Sequence, residues 1–426
     1  MQATQVHKPL NIAVVGGGIA GILSSYLLSQ KHKVTLIEKN SYVGGHTNTI
    51  TIPSGADAGL RVDTGFIVLN DKTYPTLHTF LEKLKVPWRW SNMSFGFYDC
   101  NSNLQYAGVN LNALFAQRSN VFSVAFLKML LEIKRFAQTA TREIPKLNLE
   151  TSLGAFLSQH NFSKELVHYY ILPIGAAIWS APDSKILDFP ALTFLHFFSN
   201  HGLLSLQNRP QWQTVVGGSK SYVEKFLQVF SGSVRTNSAV ARIERNADSV
   251  SLTLNSGDVL HFDALVLATH ADVALKLLAD VSPQEQQALG AWDYQDNLTI
   301  LHTDESFLPP CKRAWASWNY RRERGEQGAQ PVSVTYHMNR LQGFHSTQQY
   351  CVTLNPRQRP HPDKIIYEVL YRHPVYSKEA VQSQALLQNI QGQKRTWFCG
   401  SYHGFGFHED AAKSAATVGA MFNTAL

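Results

Sequence analysis

The feature that most restricts the fold lies in residues 11–38, where a strand pattern, a glycine turn, a helix pattern and a second strand pattern follow one another. The apolar run NIAVV leads into GGGIAG, then ILSSYLLSQ has helical spacing, and KVTLIE closes the unit. Gly16, Gly18 and Gly21 stand in GxGxxG spacing, which permits a tight turn, close approach of a pyrophosphate and close packing of helix on strand.

Glu38 ends the second strand, 22 residues after Gly16. A carboxylate there can accept hydrogen bonds from a ribose diol, and it repels a 2′-phosphate, which disfavours NADP. The unit therefore predicts dinucleotide binding but leaves NAD and FAD open. The residues expected to contact the dinucleotide in this unit are Gly16, Gly18, Ile19, Ala20, Gly21, Glu38 and Lys39.

Composition limits the remaining classes of protein and partner. The chain has 426 residues, enough for two domains, and 44% of them are hydrophobic. A net charge of +7 favours anionic partners such as phospholipid surfaces or acidic substrates, but without a Lys/Arg-rich run no nucleic-acid partner is expected. Four isolated cysteines and no apolar stretch in the first ten residues predict a cytoplasmic protein. The basic net charge and the lack of a long apolar run predict that it touches a membrane surface without spanning it.

Residues 121–147 form a long helical pattern in which basic side chains sit among large apolar ones. Such a helix can pack into a core, and it can also touch lipid headgroups. Both interpretations stay open on the pattern alone.

The motifs after the βαβ unit distinguish NAD from FAD. A glycine pair stands at residues 44–45, and Asp63-Thr64-Gly65 forms a D-x-G segment. In these motifs the chain resembles the flavin-containing amine oxidase superfamily, so FAD is the implied cofactor. His46 stands where that family usually has arginine, which leaves the charge facing the cofactor phosphate in question. The contacts that the resemblance implies here are Gly44, Gly45, His46, Thr64, Gly65 and Phe66.

Two later stretches extend the resemblance. VVGGSKSYVEKF, residues 215–226, is similar to a family glycine pair that opens a helix. Residues 395–422, RTWFCGSYHGFGFHEDAAKSAATVGAMF, resemble the closing motif, in which a strand, a loop and a helix bring the helix N-terminus to the flavin. Asp410 is the expected N-cap, and at least one of the two adjacent carboxylates is expected to point away from the ring. The cofactor contacts implied here are Val240, Gly400, His408, Glu409 and Asp410.

The phrases GGHTNT, VDTGFIVLN, GAAIWSAP and FGFHED also resemble a narrower bacterial branch of NAD/FAD-binding proteins, often encoded with cyclopropane-fatty-acid-synthase-like methyltransferases. A lipid methyltransferase is therefore an implied partner. The resemblance implies an α/β fold, with a Rossmann-like FAD-binding domain of the amine oxidase type and an inserted α+β substrate domain. The expected FAD-binding segments are 1–80, 211–284 and 386–426, and the expected substrate segments are 81–210 and 285–385.

The substrate segments are rich in aromatic and apolar residues, a lining that suits a long apolar chain better than a charged amine. No lysine can be assigned to the family position that holds a water beside the flavin. Cys399 lies in an apolar strand and is expected to be a core thiol, and His408 is either a proton donor or a loop residue. The candidates expected near the flavin are Trp179, Trp318, Tyr336 and Phe407.

Several functions remain compatible with these observations. The first is an FAD-dependent desaturase or dehydrogenase that removes hydride from a C–H bond of an apolar, lipid acyl substrate. The second is a redox-neutral flavin isomerase or mutase, and the third is a non-catalytic FAD-binding partner of a lipid methyltransferase. Ordinary amine oxidation is the further alternative if the apolar substrate pocket is absent.

Overall fold

The computed structural model describes residues 8–179, 181–205, 207, 209–323 and 333–426. A parallel five-stranded sheet forms its nucleotide-binding layer, and Ile12, Ala13 and Val14 at its centre are fully buried. Burial on both faces explains why these strands read as continuous apolar runs. In spatial order the strands are Ser233–Arg235, Lys33–Ile37, Asn11–Val15, Ala264–Leu267 and Thr396–Phe398.

Helices cover this sheet, and the predicted βαβ unit is confirmed. Helix Ile19–Leu28 connects two strands that pair in parallel, Asn11 lying opposite Lys33. The C-terminal helix, His408–Met421, packs along that first helix. The predicted glycine pair at 217–218 also opens a helix. The remaining helices beside this layer are Pro75–Lys83, Lys220–Val229 and Ala271–Leu277.

The sequence of residues 234–268 predicts consecutive strands with a turn at residues 255–258. The structure divides these strands between two sheets. The segments at either end join the parallel sheet, whereas the middle ones form an antiparallel sheet of three strands. Asn237 breaks the first predicted strand because its φ is +50°, and Asp263 separates the last two. The turn predicted at residues 255–258 connects two antiparallel strands. The antiparallel strands are Val240–Arg245, Val250–Leu254 and Val259–Phe262.

A seven-stranded mixed sheet forms the second layer. Its neighbours pair antiparallel except for Trp318–Arg322 with Phe95–Asp99, which pair in parallel. One of its hydrophobic clusters joins Leu301 and Val352 of this sheet to Ile52 and Val62 of the first segment. In spatial order the strands are Ile365–Val375, Asp293–His302, Cys351–Leu354, Ser333–His337, Trp318–Arg322, Phe95–Asp99 and Gln105–Ala107.

The helical part of the substrate region packs against this sheet. The helix predicted over 121–147 is the α-helix Val124–Glu143, flanked by the 3₁₀ turns Arg118–Phe122 and Ile144–Lys146. Ser123 starts it because its side chain accepts the Phe126 N–H. No helix among the described residues has the length and apolarity to cross a bilayer. The other helices are Leu111–Leu114, Leu153–Gln159, Lys164–Leu166, Leu172–Trp179, Asp183–Asp188, Ala191–Asn200, Pro283–Leu289, Met338–Leu341 and Lys378–Ser383.

Small sheets connect the two layers. The strands of the parallel and seven-stranded sheets lie within the segments predicted for the cofactor and substrate domains, respectively. A three-stranded sheet crosses the predicted boundary near residue 80, because Trp88–Trp90 pairs with Trp212–Val215. The domain limits themselves stay a prediction. The other strands that connect the layers are Thr49–Thr51, Arg61–Asp63 and Leu69–Asn70.

Candidate active site

The glycine loop leaves room at one position and is tightly packed at the others. A Cβ on Gly21 would lie 1.8 Å from the Gly16 carbonyl oxygen, so only glycine fits there. A Cβ on Gly18 would meet nothing within 4 Å. Gly18 is also the N-cap of the first helix, which has no side-chain cap, so the first-turn N–H groups remain available to an anion. Ile19 and Ala20 form that first turn.

Glu38 closes one side of this loop. Its carboxylate accepts the N–H groups of Gly17 at 2.7 Å and Asn40 at 2.8 Å. The Ser238 N–H donates to the Glu38 backbone oxygen, which brings the start of strand Val240–Arg245 to the same edge. Val240 therefore lies at the edge of the site where adenine is expected. Lys39, which follows Glu38 in the chain, is exposed.

The GG pair lies directly against the glycine loop. The Gly44 N–H donates to the Gly17 carbonyl at 2.8 Å, and a Cβ on Gly45 would be 3.1 Å from the Gly18 Cα. The D-x-G segment completes the cradle, because a Cβ on Gly65 would lie 2.0 Å from the His46 carbonyl oxygen.

Three histidines and a tyrosine cluster beyond the glycine pair. The His46 ring stacks on Tyr371 with centroids 4.8 Å apart, and it lies 5.4 Å from His373 and 6.1 Å from His270. Burial lowers the pKa of His46 to about 4 and that of His270 and His373 to about 3. The imidazole in place of the family arginine is therefore neutral, and its buried Nε2 has no hydrogen-bond partner.

The start of the C-terminal helix shows that the predicted N-cap is wrong, and it shows which groups the two adjacent carboxylates bind. Its N-cap is Phe407 rather than Asp410, which is the third helical residue and accepts the Phe407 N–H at 2.9 Å. The adjacent Glu409 accepts the N–H groups of Thr76 and Leu77 at the start of another helix, both at 2.9 Å. Both carboxylates are thus occupied by backbone donors, as the sequence required of at least one.

His408 begins this helix and is not a loop residue. Its Nε2 lies 3.0 Å from both Thr47 Oγ1 and Tyr222 Oη, and its ring stacks on Phe66 at 3.8 Å. Burial lowers its pKa to about 3, so it is neutral and fixed in place, which disfavours the alternative of a proton donor.

Asp63 ties the D-x-G segment to the predicted glycine pair at 217–218. It is fully buried, and its carboxylate accepts from Thr49 Oγ1, the Ser219 N–H and Gln342 Nε2. Burial raises its pKa to about 6 despite these donors. Its contacts assign Asp63 a structural role.

The four aromatic candidates form two pairs. Trp179 lies 4.9 Å from Phe197, and Phe197 stacks on Phe407 at 5.0 Å. Trp318 and Tyr336 are cross-strand partners in the seven-stranded sheet, with ring centroids 5.0 Å apart. No ring contact within the described part of the chain joins the two pairs.

Both tryptophans of these pairs have a buried indole N–H without a hydrogen-bond partner. Cys399 is a fully buried thiol beside Ser24, as predicted, and burial raises its pKa to about 12. None of the described lysines is buried.

Sequence reasoning missed several residues that complete the site. His270 lies just beyond the carboxyl end of the strand Ala264–Leu267. Ligands bind at the carboxyl ends of parallel strands, so this position is a sequence signal that could have identified His270. Tyr371 and His373 belong to a strand more than 300 residues from His46, and Thr47 and Tyr222 meet only through the fold. No local pattern marks these four.

A cavity of about 510 Å³ lies along the outer side of the C-terminal helix, and the glycine-loop residues do not line it. Its wall includes Leu192, Phe398, Phe405, Asp410 and Lys413. It is therefore separate from the cradle built by the glycine motifs.

The cradle fits a dinucleotide with a flavin. It has open space beside the backbone at Gly18, an uncapped helix N-terminus for the pyrophosphate, and a carboxylate, Glu38, for the ribose. The unpartnered His46 Nε2 adds a buried polar atom on the side of the closing helix. Fold and site thus define a dinucleotide-binding flavoprotein.

The family of this flavoprotein follows from comparison with known proteins. The sequence model of the family described as "Flavin containing amine oxidoreductase" matches residues 19–354, so the chain belongs to that family, and FAD is its cofactor. An L-amino-acid oxidase of Mus musculus is 25% identical over 317 residues, covering 68% of this chain and 46% of its own length.

Other relatives have other activities in their names. A 15-cis-phytoene desaturase of Glycine max is 22% identical over 302 residues, covering 64% of this chain and 50% of its own length. A fatty acid isomerase from P. acnes superposes with a TM-score of 0.69 at 17% identity, over 99% of this chain and 100% of that one, which shows a shared fold. The chain spans about half the length of the curated relatives described here.

Proposed function

We propose that the protein is an FAD-dependent oxidoreductase that removes hydride from a C–H bond of an apolar substrate of the lipid acyl class. The observation that carries this proposal is a set of buried imidazoles in the site that are uncharged at neutral pH. Burial holds the pKa of each imidazole around the site at about 4 or 3. These residues are His46, His270, His373 and His408.

The carboxylates beside this wall are also occupied. Glu409 and Asp410 accept backbone N–H groups, and Asp63 is surrounded by its own donors. A substrate ammonium would therefore have to compete with these backbone donors for each carboxylate, so its burial would be poorly compensated. An alkyl chain loses nothing in such a site and gains from burial.

The aromatic residues support the same substrate class. Trp179, Phe197 and Phe407 form a continuous ring contact that ends at the N-terminus of the closing helix. FAD, when bound, supplies the hydride acceptor, and the protein's part is to orient the substrate and exclude water. In this proposal the rings of Trp179 and Phe407 shape the pocket, and the half-buried Trp318–Tyr336 pair forms a second apolar wall.

Two relatives favour alternatives. The name of the fatty acid isomerase favours a redox-neutral reaction, in which hydride leaves and returns, and that of the amino-acid oxidase favours amine oxidation. A non-catalytic role beside a lipid methyltransferase is the remaining alternative. Each predicts a different behaviour of the bound flavin.

Anaerobic mixing of the FAD-loaded protein with acyl lipids, recorded through the visible flavin absorbance, tests the proposal. Lasting bleaching is expected for a desaturase or dehydrogenase, and a product with a moved double bond without net bleaching indicates isomerisation. Faster reduction by short polar amines than by acyl lipids contradicts the apolar-substrate proposal, and a flavin that no substrate reduces or turns over favours the non-catalytic role.

Chain length and pocket shape provide the matched controls. Each buried methylene contributes about 0.8 kcal/mol, so a chain shortened by four methylenes should bind weaker by about 3 kcal/mol, roughly a hundredfold. Trp179→Phe and Tyr336→Phe should retain part of the activity because they keep a ring, whereas Trp179→Ala and Tyr336→Ala should lose it. Equal affinity for short and long chains contradicts a pocket that recognises its substrate by burial.

A further inference from the structure

The apolar side chains that remain exposed are concentrated in residues 109–131. The four most exposed large apolar residues among those described all lie there: Phe122 is 87% exposed, Val124 80%, Leu111 74% and Leu131 73%. Single exposed apolar residues are ordinary on a protein surface, but a contiguous group marks an interaction site.

These side chains share one surface. Phe122 ends the 3₁₀ turn that leads into helix Val124–Glu143, and Leu127 and Leu131 follow Val124 at three and seven residues, on one helical face. The opposite face is buried in the core through residues such as Phe126.

Arg118 brings the neighbouring short helix to the same surface. Its guanidinium donates to the Phe115 carbonyl at 2.8 Å and to Asn112 Oδ1 at 2.6 Å, beside Leu111. We name the combined surface the apolar ridge. Its members are Leu111, Val121, Phe122, Val124, Leu127 and Leu131.

Basic residues flank the apolar ridge. Between residues 109 and 146 the chain has six basic residues and two acidic ones, and the two glutamates are paired with Arg135, Arg142 and Lys146. The hydrogen-bond partners given above for Arg118 are neutral groups, so its charge is not cancelled by them. Lys128 and Lys134 are exposed on the same helix, and Lys128 is paired with Glu165 at 3.3 Å.

We propose that the apolar ridge docks the protein on an anionic lipid surface, with the exposed apolar side chains inserted among the acyl chains and the flanking basic residues against the headgroups. The charge argues for this occupant over a second copy of the chain, because two such faces would bring like charges together. Apolar insertion combined with basic flanks is the arrangement that interfacial helices use.

The position of the ridge agrees with a lipid substrate. Phe126, on its buried face, contacts Tyr106, and the Tyr106 hydroxyl donates to the Tyr169 carbonyl at 2.6 Å. Tyr169 lies in the π-helical turn Val167–Ile171, which runs directly into the helix Leu172–Trp179. Docking would thus place the substrate region against the membrane, although vesicle binding does not depend on the substrate proposed above.

Vesicle binding by the full-length, FAD-loaded protein tests the inference. Co-sedimentation is compared between phosphatidylcholine vesicles and vesicles with an equal share of phosphatidylglycerol, and binding to the anionic vesicles is expected. A double substitution, Phe122→Ser with Leu131→Ser, should weaken that binding roughly a hundredfold, because each inserted side chain accounts for about tenfold. Lys134→Glu should weaken it at low salt and have little effect at about 1 M salt, where the screening length falls to about 3 Å.

Leu370→Ser is the matched control, since Leu370 is 58% exposed on a strand outside the ridge, and it should bind as the wild type does. Phe122→Trp reports insertion directly through a blue shift of its fluorescence on anionic vesicles. Retained flavin and an unchanged circular dichroism spectrum establish that each variant is folded. No vesicle binding by the wild type, binding that the double substitution leaves unchanged, or a protein that self-associates through the ridge in place of binding vesicles overturns the inference.

Discussion

The buried histidine cluster predicts how stability depends on pH, and His373→Gln isolates the contribution of one member. Asn297 Nδ2 lies 3.2 Å from His373 Nδ1, so that nitrogen accepts a hydrogen bond and the ring is neutral. Glutamine keeps polar atoms of similar reach but cannot titrate. The variant therefore removes one titrating imidazole from the folded site.

The magnitude follows from linkage between proton binding and folding. The pKa of His373 is about 3 in the folded protein, because of burial, and about 6.5 in an unfolded chain. Since the folded value is lowered, the unfolded state binds the proton, and stability is lost as pH falls through about 6.5. Between pH 7.5 and 5.5 this single group should decrease the free energy of unfolding by about 1.4 kcal/mol.

Urea unfolding of the wild type and His373→Gln at both pH values, in excess FAD and at constant ionic strength, measures the difference. The wild type should lose about 1.4 kcal/mol more than the variant on acidification, whatever the variant's stability at pH 7.5. Contributions of opposite sign, such as the carboxyl of Asp63 with its pKa raised to about 6, cancel in this comparison. Substitution of the exposed His345 is the control for replacing a histidine, and equal pH slopes for the wild type and His373→Gln would refute a neutral, buried imidazole.

Three further predictions follow from the structure. Gly18→Leu should fold, because a Cβ there meets nothing within 4 Å, but should purify without flavin by absorbance; flavin retained by this variant contradicts the assigned pyrophosphate position. Gly21→Ala should fail to fold, because its Cβ overlaps the Gly16 carbonyl. Acid precipitation should release all FAD into the supernatant, and flavin left on the polypeptide would show a covalent link. Glu285→Gln should lower the free energy of unfolding by about 3 kcal/mol in urea titration, since it breaks a buried ion pair with Arg245, and an unchanged midpoint contradicts this.

The parts of the fold that could be predicted from the sequence are those with local signals. The strand, glycine turn and helix of residues 11–38 are specified by spacing within 28 residues, and the structure confirms them. Residues 234–268 also have correct strand character. Their division into two sheets was not predictable, because alternation of apolar residues does not show which partner a strand pairs with.

The start of the C-terminal helix, at residue 407, shows a related limit of sequence-based prediction. An acidic residue near a helix start can be the N-cap or can reach back from the third helical position, and the sequence EDAAK permits both. Asp410 takes the second arrangement, with Phe407 as the first non-helical residue. The histidine cluster was outside local reasoning altogether, since His46, His270 and His373 come from three distant segments.

The positions of Glu409 and Asp410 also explain how two acids can stand at the start of the helix that the family resemblance places near the flavin. Glu409 is held by the N–H groups of Thr76 and Leu77, which belong to another helix, and Asp410 by the N–H of Phe407. The partial positive charge of their own helix is thus opposed by carboxylates whose charge is shared with other donors. Since the neighbouring His46 and His408 are neutral, the side-chain charge at this helix start comes from Glu409 and Asp410. Burial raises the pKa of Asp410 to about 6, so protonation as pH falls through about 6 removes one negative charge from the helix start.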